Sequence, residues 1–121
     1  MNHGLIKSYT AGGAIAANTL LKFGADDRTM VPAVAATDAI IGVADGYAIT
    51  TGQMVDCIMD GIAMVKAGGT ITRGQPITAN ASGQGIVSTA AVGARIVGFA
   101  LASAVSGDLF PVQLSPGFNN A

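Results

Sequence analysis

The sequence predicts an all-β protein, a small glycine-rich barrel or sandwich with tight hairpins and an extended N-terminal segment. Three observations carry that prediction. The 17 glycines are spread fairly evenly, and β-branched residues cluster between them in runs of about five to eight, the rhythm of short strands joined by turns. Apolar residues nowhere sustain the i, i+3, i+4, i+7 spacing of an amphipathic helix. Every acidic residue is Asp, a residue of turns and caps rather than helix interiors.

The elements follow in order. Leu5–Thr10 alternates and reads as an opening strand or an arm, ended by Gly12-Gly13. Thr19–Phe23 is a second strand, followed by a polar turn over Ala25–Arg28 and a third strand in Thr29–Val34. The alanines of Ala33–Gly46 let a short helix compete there, but Ala39–Ala44 reads better as a buried strand, since Ile40, Ile41 and Val43 favour a pleated surface. Val55–Ala67 holds two apolar runs around Asp60-Gly61, and an Asp-Gly pair accepts the positive φ values of a type I′ turn, so a tight hairpin is expected there. Val87 and its neighbours, Arg95–Ala104 and Leu109–Leu114 supply the remaining strands. Pro111, which has no N–H to give a ladder, suggests an edge position for its strand. The expected organisation is an N-terminal segment (1–10), a single β domain (11–115) and a loose tail (116–121).

A turn is repeated along the chain. Ala11–Leu21 (AGGAIAANTLL) and Ala67–Ile77 (AGGTITRGQPI) are near copies, and Ile49–Val55 (ITTGQMV) repeats the second part. The shared pattern is Ile, Ala or Thr, any residue, Gly or Asn, Gln or Thr, any residue, aliphatic. Its fourth position, Asn18, Gly52 or Gly74, is filled by residues that tolerate a left-handed backbone. Gly12, Gly13, Gly68, Gly69, Asp60 and Gly61 are further turn positions. The repeated unit is a turn plus the strand it launches, which is architecture and not chemistry.

Composition narrows the function. Of 121 residues, 50% are hydrophobic, only 5% are aromatic and none is Trp, so the core is thin and built from small side chains. Charged residues are 11%, against about 25% in ordinary soluble domains. Burial against copies of itself or against a larger surface explains both features. No window of about 18 residues is free of Gly, Pro, Asp or Lys, so no membrane span is expected. Met1–Ala11, with Asn2, His3, Lys7 and Ser8, does not read as a signal peptide. The six Lys and Arg are scattered singly and the net charge is −1, which gives no footing for nucleic acid. A single Cys fits synthesis in a reducing compartment.

Catalytic and metal-binding sets are missing. His3 is the only histidine and stands near a terminus, where no packed second residue is at hand to orient it. One His, one Cys and no Glu cannot build the usual zinc sites. The aspartates do not fall in a calcium-loop spacing, and the Gly-rich strings lack the phosphate-loop Gly-Lys-Ser/Thr ending. Lys66 lies inside an apolar run rather than at a hairpin tip, and its flanks Val65 and Ala67 do not match a biotinyl or lipoyl carrier. No enzymatic activity and no cofactor are expected.

The order KSYTAGGAIAANTLLKFG, AIIGVADG, GQMVDCIMDGIAMVKAGGTITRGQPITANASGQGIV and RIVGFALASAVSGDLFPVQLSPG resembles the small capsid decoration, or cement, proteins of tailed bacteriophages. The likeness runs through Ile41-Gly42-Val43-Ala44, Ala67-Gly68-Gly69-Thr70-Ile71-Thr72 with Gly74, and Val97-Gly98-Phe99-Ala100-Leu101 with Ala104, Gly107 and Asp108. The resemblance implies a structural protein on the outer surface of the virion head, made in the host cytoplasm, which binds the phage major capsid protein, bridges its subunits and forms homotrimers. For the capsid contact the candidates are Leu5, Ile6 and Tyr9, which could add a strand to an edge of the shell. For self-association they are Phe99, Leu101, Leu109 and Phe110, because large apolar groups are scarce here. The rival expectation is a virion-displayed β domain, such as the base of a head fibre, that binds carbohydrate or a receptor.

Overall fold

The computed structural model describes residues 5–88 and 95–118, and among these there is no helix. Ten strands follow one another: β1 (Ile6–Ala11), β2 (Leu20–Phe23), β3 (Thr29–Pro32), β4 (Ile40–Ala44), β5 (Met54–Ile58), β6 (Ile62–Lys66), β7 (Pro76–Ala79), β8 (Gly85–Val87), β9 (Arg95–Ala100) and β10 (Leu109–Phe118). The first five close a barrel in the order β1-β3-β2-β4-β5, and the last five make a second sheet in the order β6-β10-β9-β7-β8. His3 and the end of the expected tail, 119–121, lie outside the described residues.

The two halves repeat one plan. The antiparallel pairs β1/β5, β2/β3, β2/β4 and β4/β5 have their counterparts in β6/β10, β7/β8, β7/β9 and β9/β10. Consecutive strands β2/β3 and β7/β8 are the tight hairpins. The bridge Ile15↔Ile49 of the first half recurs as Ile71↔Ala104 in the second.

The repeated turn explains the plan. Its fourth residue has positive φ at Asn18 (60°), Gly52 (88°) and Gly74 (89°), as the sequence pattern requires. A fourth copy, Ala104–Phe110 (AVSGDLF), has Gly107 at 93°. In each copy the fifth residue turns its carbonyl onto the N–H of a buried alanine at or just past the end of another strand. Thr19 accepts from Ala44 at 2.8 Å, Gln53 from Ala11 at 2.8 Å, Gln75 from Ala100 at 3.0 Å and Asp108 from Ala67 at 2.7 Å. The seventh residue, Leu21, Val55, Ile77 or Phe110, then enters the core. In three copies the fifth side chain also clamps the second residue: Thr50 N–H to Gln53 Oε1, Thr72 N–H to Gln75 Oε1 and Val105 N–H to Asp108 Oδ2, at 3.0, 2.8 and 3.2 Å.

The halves differ at one seam. β1 and β3 pair in parallel at Thr10↔Thr29 and Ala11↔Met30 and so close the barrel, whereas β6 and β8 share only the bridge Ala67↔Gly85. The first half fills that opening. Asn18 accepts from the Lys66 N–H and donates its side-chain amide to the Met64 carbonyl at 3.1 Å, and the Leu20 N–H reaches the Gly83 carbonyl at 2.9 Å. Leu20, Ala33, Ile40, Val43 and Ile58 of the first half are packed into the core of the second, while Tyr9, Ala11, Ile15, Leu21, Met30, Ala44, Val55 and Cys57 form a separate core cluster in the first.

Two expectations are corrected. Asp60-Gly61 is not a hairpin tip: β5 pairs with β1 and β4, β6 pairs with β10, and the two are not neighbours. Gly61 does take positive φ, 84°, but it turns the chain from one sheet into the other. Pro111 is not on an edge strand, since β10 lies between β6 and β9. Its carbonyl accepts from Leu101, one residue past the end of β9, so its missing N–H faces the point where that ladder stops. The expected junctions at 10/11 and 115/116 both fall within strands, β1 and β10.

Glycine is required by close approach at Gly42 and Gly98, equivalent positions in β4 and β9. A Cβ there would strike the Ile58 carbonyl oxygen and the Gln113 carbonyl oxygen respectively. Gly13 and Gly69 have open space around that position and no positive φ. Gly42→Ala and Gly98→Ala are therefore expected to cost about 2–4 kcal/mol each through backbone displacement, and Gly13→Ala and Gly69→Ala within about 0.5 kcal/mol of nothing. Urea unfolding midpoints of the four variants check this; equal shifts would refute it.

Candidate assembly surfaces

Two surfaces stand out. The first lies along β1. Its residues Ile6–Thr10 pair with β5 on one side, but β3 meets β1 only at Thr10 and Ala11. Among the described residues, Ile6–Tyr9 thus has no strand on its other side. Leu5 and Ile6 are exposed beside this edge. A groove of about 300 Å³ runs past it, lined by Lys7, Ser8, Tyr9, Thr10, Asp27, Arg28 and Met54. Lys7 Nζ sits 5.3 Å from the centre of the Tyr9 ring, and the Phe23 ring meets Tyr9 edge-on at 5.7 Å.

The second is the outer face of the second sheet. Strand alternation sends Ala63, Val65, Phe110, Val112 and Ala100 inward. The opposite residues form cross-strand rows: Ile62, Gln113, Phe99 and Pro76 in one, Met64 and Pro111 in the next, then Lys66 and Leu109. Leu101 extends the middle row through its N–H bond to Pro111. Phe99, Leu101 and Leu109 are 39%, 44% and 51% exposed. A second groove, about 370 Å³, lies here between Asp60, Gly61, Ile62, Leu101, Gln113 and Leu114.

The structure separates the residues singled out from the sequence. Leu5 and Ile6 are at the surface, whereas Tyr9 is 5% exposed and packs in the first core with its hydroxyl towards Met59 Sδ. Phe99, Leu101 and Leu109 share one open face, whereas Phe110, the large residue of the fourth turn, is 1% exposed in the core. Alternation decides both cases, because Tyr9 and Phe110 point to the opposite face from their neighbours. Ile62, Met64 and Pro76 carry no such signal in the sequence, and Pro111 reads there only as an edge marker; what places all four on this face is the cross-strand register, which only the long-range pairing reveals.

Among the described residues no group of three or more His, Cys, Asp or Glu could hold a metal, and no helix is long and apolar enough to cross a membrane.

With the geometry in hand, comparison with known proteins is direct. The chain belongs to the phage cement protein family, whose sequence profile matches residues 1–114. Its fold is similar to that in the crystal structure of the head fiber gp8.5 N base of bacteriophage phi29, at a TM-score of 0.71 and 20% identity, covering 92% of this chain and 93% of that one. No curated protein matches the sequence.

Two titratable groups serve the scaffold. Asp38 is pulled towards neutrality by burial, but the Val34 and Ala35 N–H groups at 2.8 and 3.1 Å and Lys22 Nζ at 3.2 Å outweigh it and hold the carboxyl below its ordinary value. That loop carries Ala36, whose carbonyl accepts from the Arg95 N–H at 2.7 Å. Cys57 is buried in the first core, and desolvation pushes its thiol up to about 12 from 9.0. The thiolate is the reactive form, so Cys57 should resist an aromatic disulfide reagent at pH 8 in the folded protein and react on unfolding. Because the folded value is raised, its contribution to stability is complete below pH 9.0 and is lost as pH rises towards about 12. Rapid labelling of folded protein would contradict this burial.

Proposed function

We propose that this member of the phage cement protein family sits on the outer surface of a phage head, where it binds the major capsid protein and ties neighbouring shell subunits together. The observation that carries the reading is the one-sided edge of β1. Among the described residues, strand residues Ile6–Tyr9 have no strand on the side away from β5, next to exposed Leu5 and Ile6, and an extended segment of a shell subunit can complete that ladder by strand addition. Lys7, Arg28 and Asp27 in the adjoining groove offer both signs of charge to the polar groups of a partner segment.

The scaffold suits the task. A body cross-tied by repeated turns offers its edge in one fixed geometry, so little ordering entropy is spent on docking. Many copies on one shell then add weak contacts into a large effect by multivalency. The family supports a structural role in the phage head.

The test is reconstitution. Heads stripped of the chain should rebind it at a copy number comparable with that of the shell subunit and regain resistance to heat. The double variant Leu5→Asp/Ile6→Asp, with both changes at exposed positions, should bind at least about tenfold more weakly, as expected when an apolar strand contact of about 1.4 kcal/mol or more is lost. Rebinding in only a few copies, or full binding by the double variant, would sink the assignment of the β1 edge.

A further inference from the structure

The loop between β3 and β4, residues 33–39, is gripped by both halves at equivalent places. The seventh turn residues Leu21 and Ile77 correspond, so Lys22 of β2 and Thr78 of β7 occupy the same position in the two halves. Lys22 Nζ reaches the Asp38 carboxylate at 3.2 Å, and the buried Thr78 hydroxyl donates to the Ala36 carbonyl at 3.5 Å. The same carbonyl accepts from the Arg95 N–H at 2.7 Å. β7 and β9 pair at Pro76↔Phe99 and Ile77↔Gly98. Past that point the Ala36 carbonyl, which belongs to the first half, bonds to a residue of each strand.

One carboxylate oxygen sets the shape of this loop. Asp38 Oδ2 accepts from the Val34 N–H at 2.8 Å and from the Ala35 N–H at 3.1 Å, and it is the same oxygen that faces Lys22. The Asp38 N–H returns to the Ala35 carbonyl at 3.1 Å, so Val34 to Asp38 closes into a compact turn that carries Ala36. Charge-assisted bonds of this kind are stronger than neutral ones, and protonating the carboxyl takes the charge from all three contacts at once. Asp26, Asp45, Asp56 and Asp108 each hold a turn N–H or a hydroxyl within one half. Asp38 instead holds a segment that touches both.

We propose that Asp38 is an acid-sensitive latch: ionised, it holds the 33–39 loop against β7 and β9 and ties the first half to the start of β9, and protonated, it releases the loop while the two cores stay packed. Lys22 is the charged group that β2 presents, β3, β4 and β7 carry none, and Arg95 is the one on β9. Lys and Arg keep their charge throughout the acid range, so Asp38 is the group that titrates. Burial opposes its ionisation, but the two N–H groups and Lys22 hold the folded value below the ordinary 3.8. The latch is therefore complete above pH 3.8 and is lost as pH falls through that lowered value. Of the loop only Ala33 belongs to the core, and its N–H bond to the Leu20 carbonyl at 2.8 Å keeps it on β2, so the release is local.

The test is hydrogen exchange of single amides in the purified chain, followed by NMR. At about pH 6, Asp38→Asn should lower the protection factor of the Arg95 amide at least about tenfold. The Ala44 and Ala67 amides, bonded to Thr19 and Asp108 at the repeated turns, should be unchanged. The wild-type chain should show the same selective loss at about pH 2.5. Asp56→Asn, at a carboxylate held within the first half, should leave all three amides as they are. Unchanged Arg95 protection in Asp38→Asn would overturn the proposal, as would an equal effect from Asp56→Asn. Loss of protection at all three amides in Asp38→Asn would overturn it too, since Asp38 would then serve general stability and not a latch. Should acid unfold the whole wild-type chain, the variant at about pH 6 decides the matter.

Discussion

The structure depends on a backbone hydrogen bond made four times. In each repeated turn a left-handed residue redirects the chain so that the next carbonyl meets the N–H of a buried alanine at the end of another strand. A larger side chain than Ala at these sites would stand in the way of the crossing turn, and an L residue other than Asn or Gly at the turn would strain it. Small side chains are thus a geometric requirement of the fold and not a weakness of composition. They also explain why a chain that is half hydrophobic carries so few aromatics. The core is assembled by strands crossing close together, and its larger side chains include the first and seventh turn residues, Ile15, Ile71, Leu21, Val55, Ile77 and Phe110, together with Leu20 and Met30.

The duplication is not symmetric, and the asymmetry is what joins the halves. The first half closes on itself through β1 and β3. In the second, the Asn18–Leu20 segment occupies the gap between β6 and β8 and satisfies backbone groups that a closed barrel would pair internally. Buried backbone groups must find partners, so the second sheet is complete only in the presence of the first. Asn18 is the residue on which this turns. It adopts the left-handed conformation of the turn, and its amide also reaches across the seam, which the glycines at the three other turns cannot do.

Much of the fold was legible because turns are local. The left-handed positions, the strand runs and the all-β class follow from residue types within a few positions of one another. The fourth turn escaped notice because Ala104 stands where the other copies have Ile, although Gly107 and Asp108 keep the geometry. The Asp60-Gly61 hairpin failed for a related reason. Positive φ at Gly61 is needed both to reverse a strand within a sheet and to pass between sheets, and local chemistry does not distinguish these outcomes. Long-range pairing decides, as β5 has β1 and β4 as partners and no side left for β6. The same limit applied to the surfaces. Leu5 and Ile6 were legible as exposed apolar residues, but sorting Phe99 and Leu101 from Phe110 needed the strand phase.

Low charge now has two separate physical causes. At the seam, Leu20, Val43 and Ile58 are apolar because half of the molecule covers them. On the second sheet, Met64, Leu101 and Pro111 stand where Ser8, Asp45 and Asp56 stand in the first, with Leu101 exposed and Met64 and Pro111 half-buried. Folding alone gives no reason for the second set, because a solvated sheet face tolerates polar residues at no cost, as the Ser8–Asp56 pair demonstrates. Attachment to a large shell, as proposed, would keep such a face covered, since unpaired edges and apolar sheets left free in solution invite uncontrolled association. The sparse charge, the rigid turns and the exposed face all fit the proposed reading, in which the chain works by contact with a larger surface.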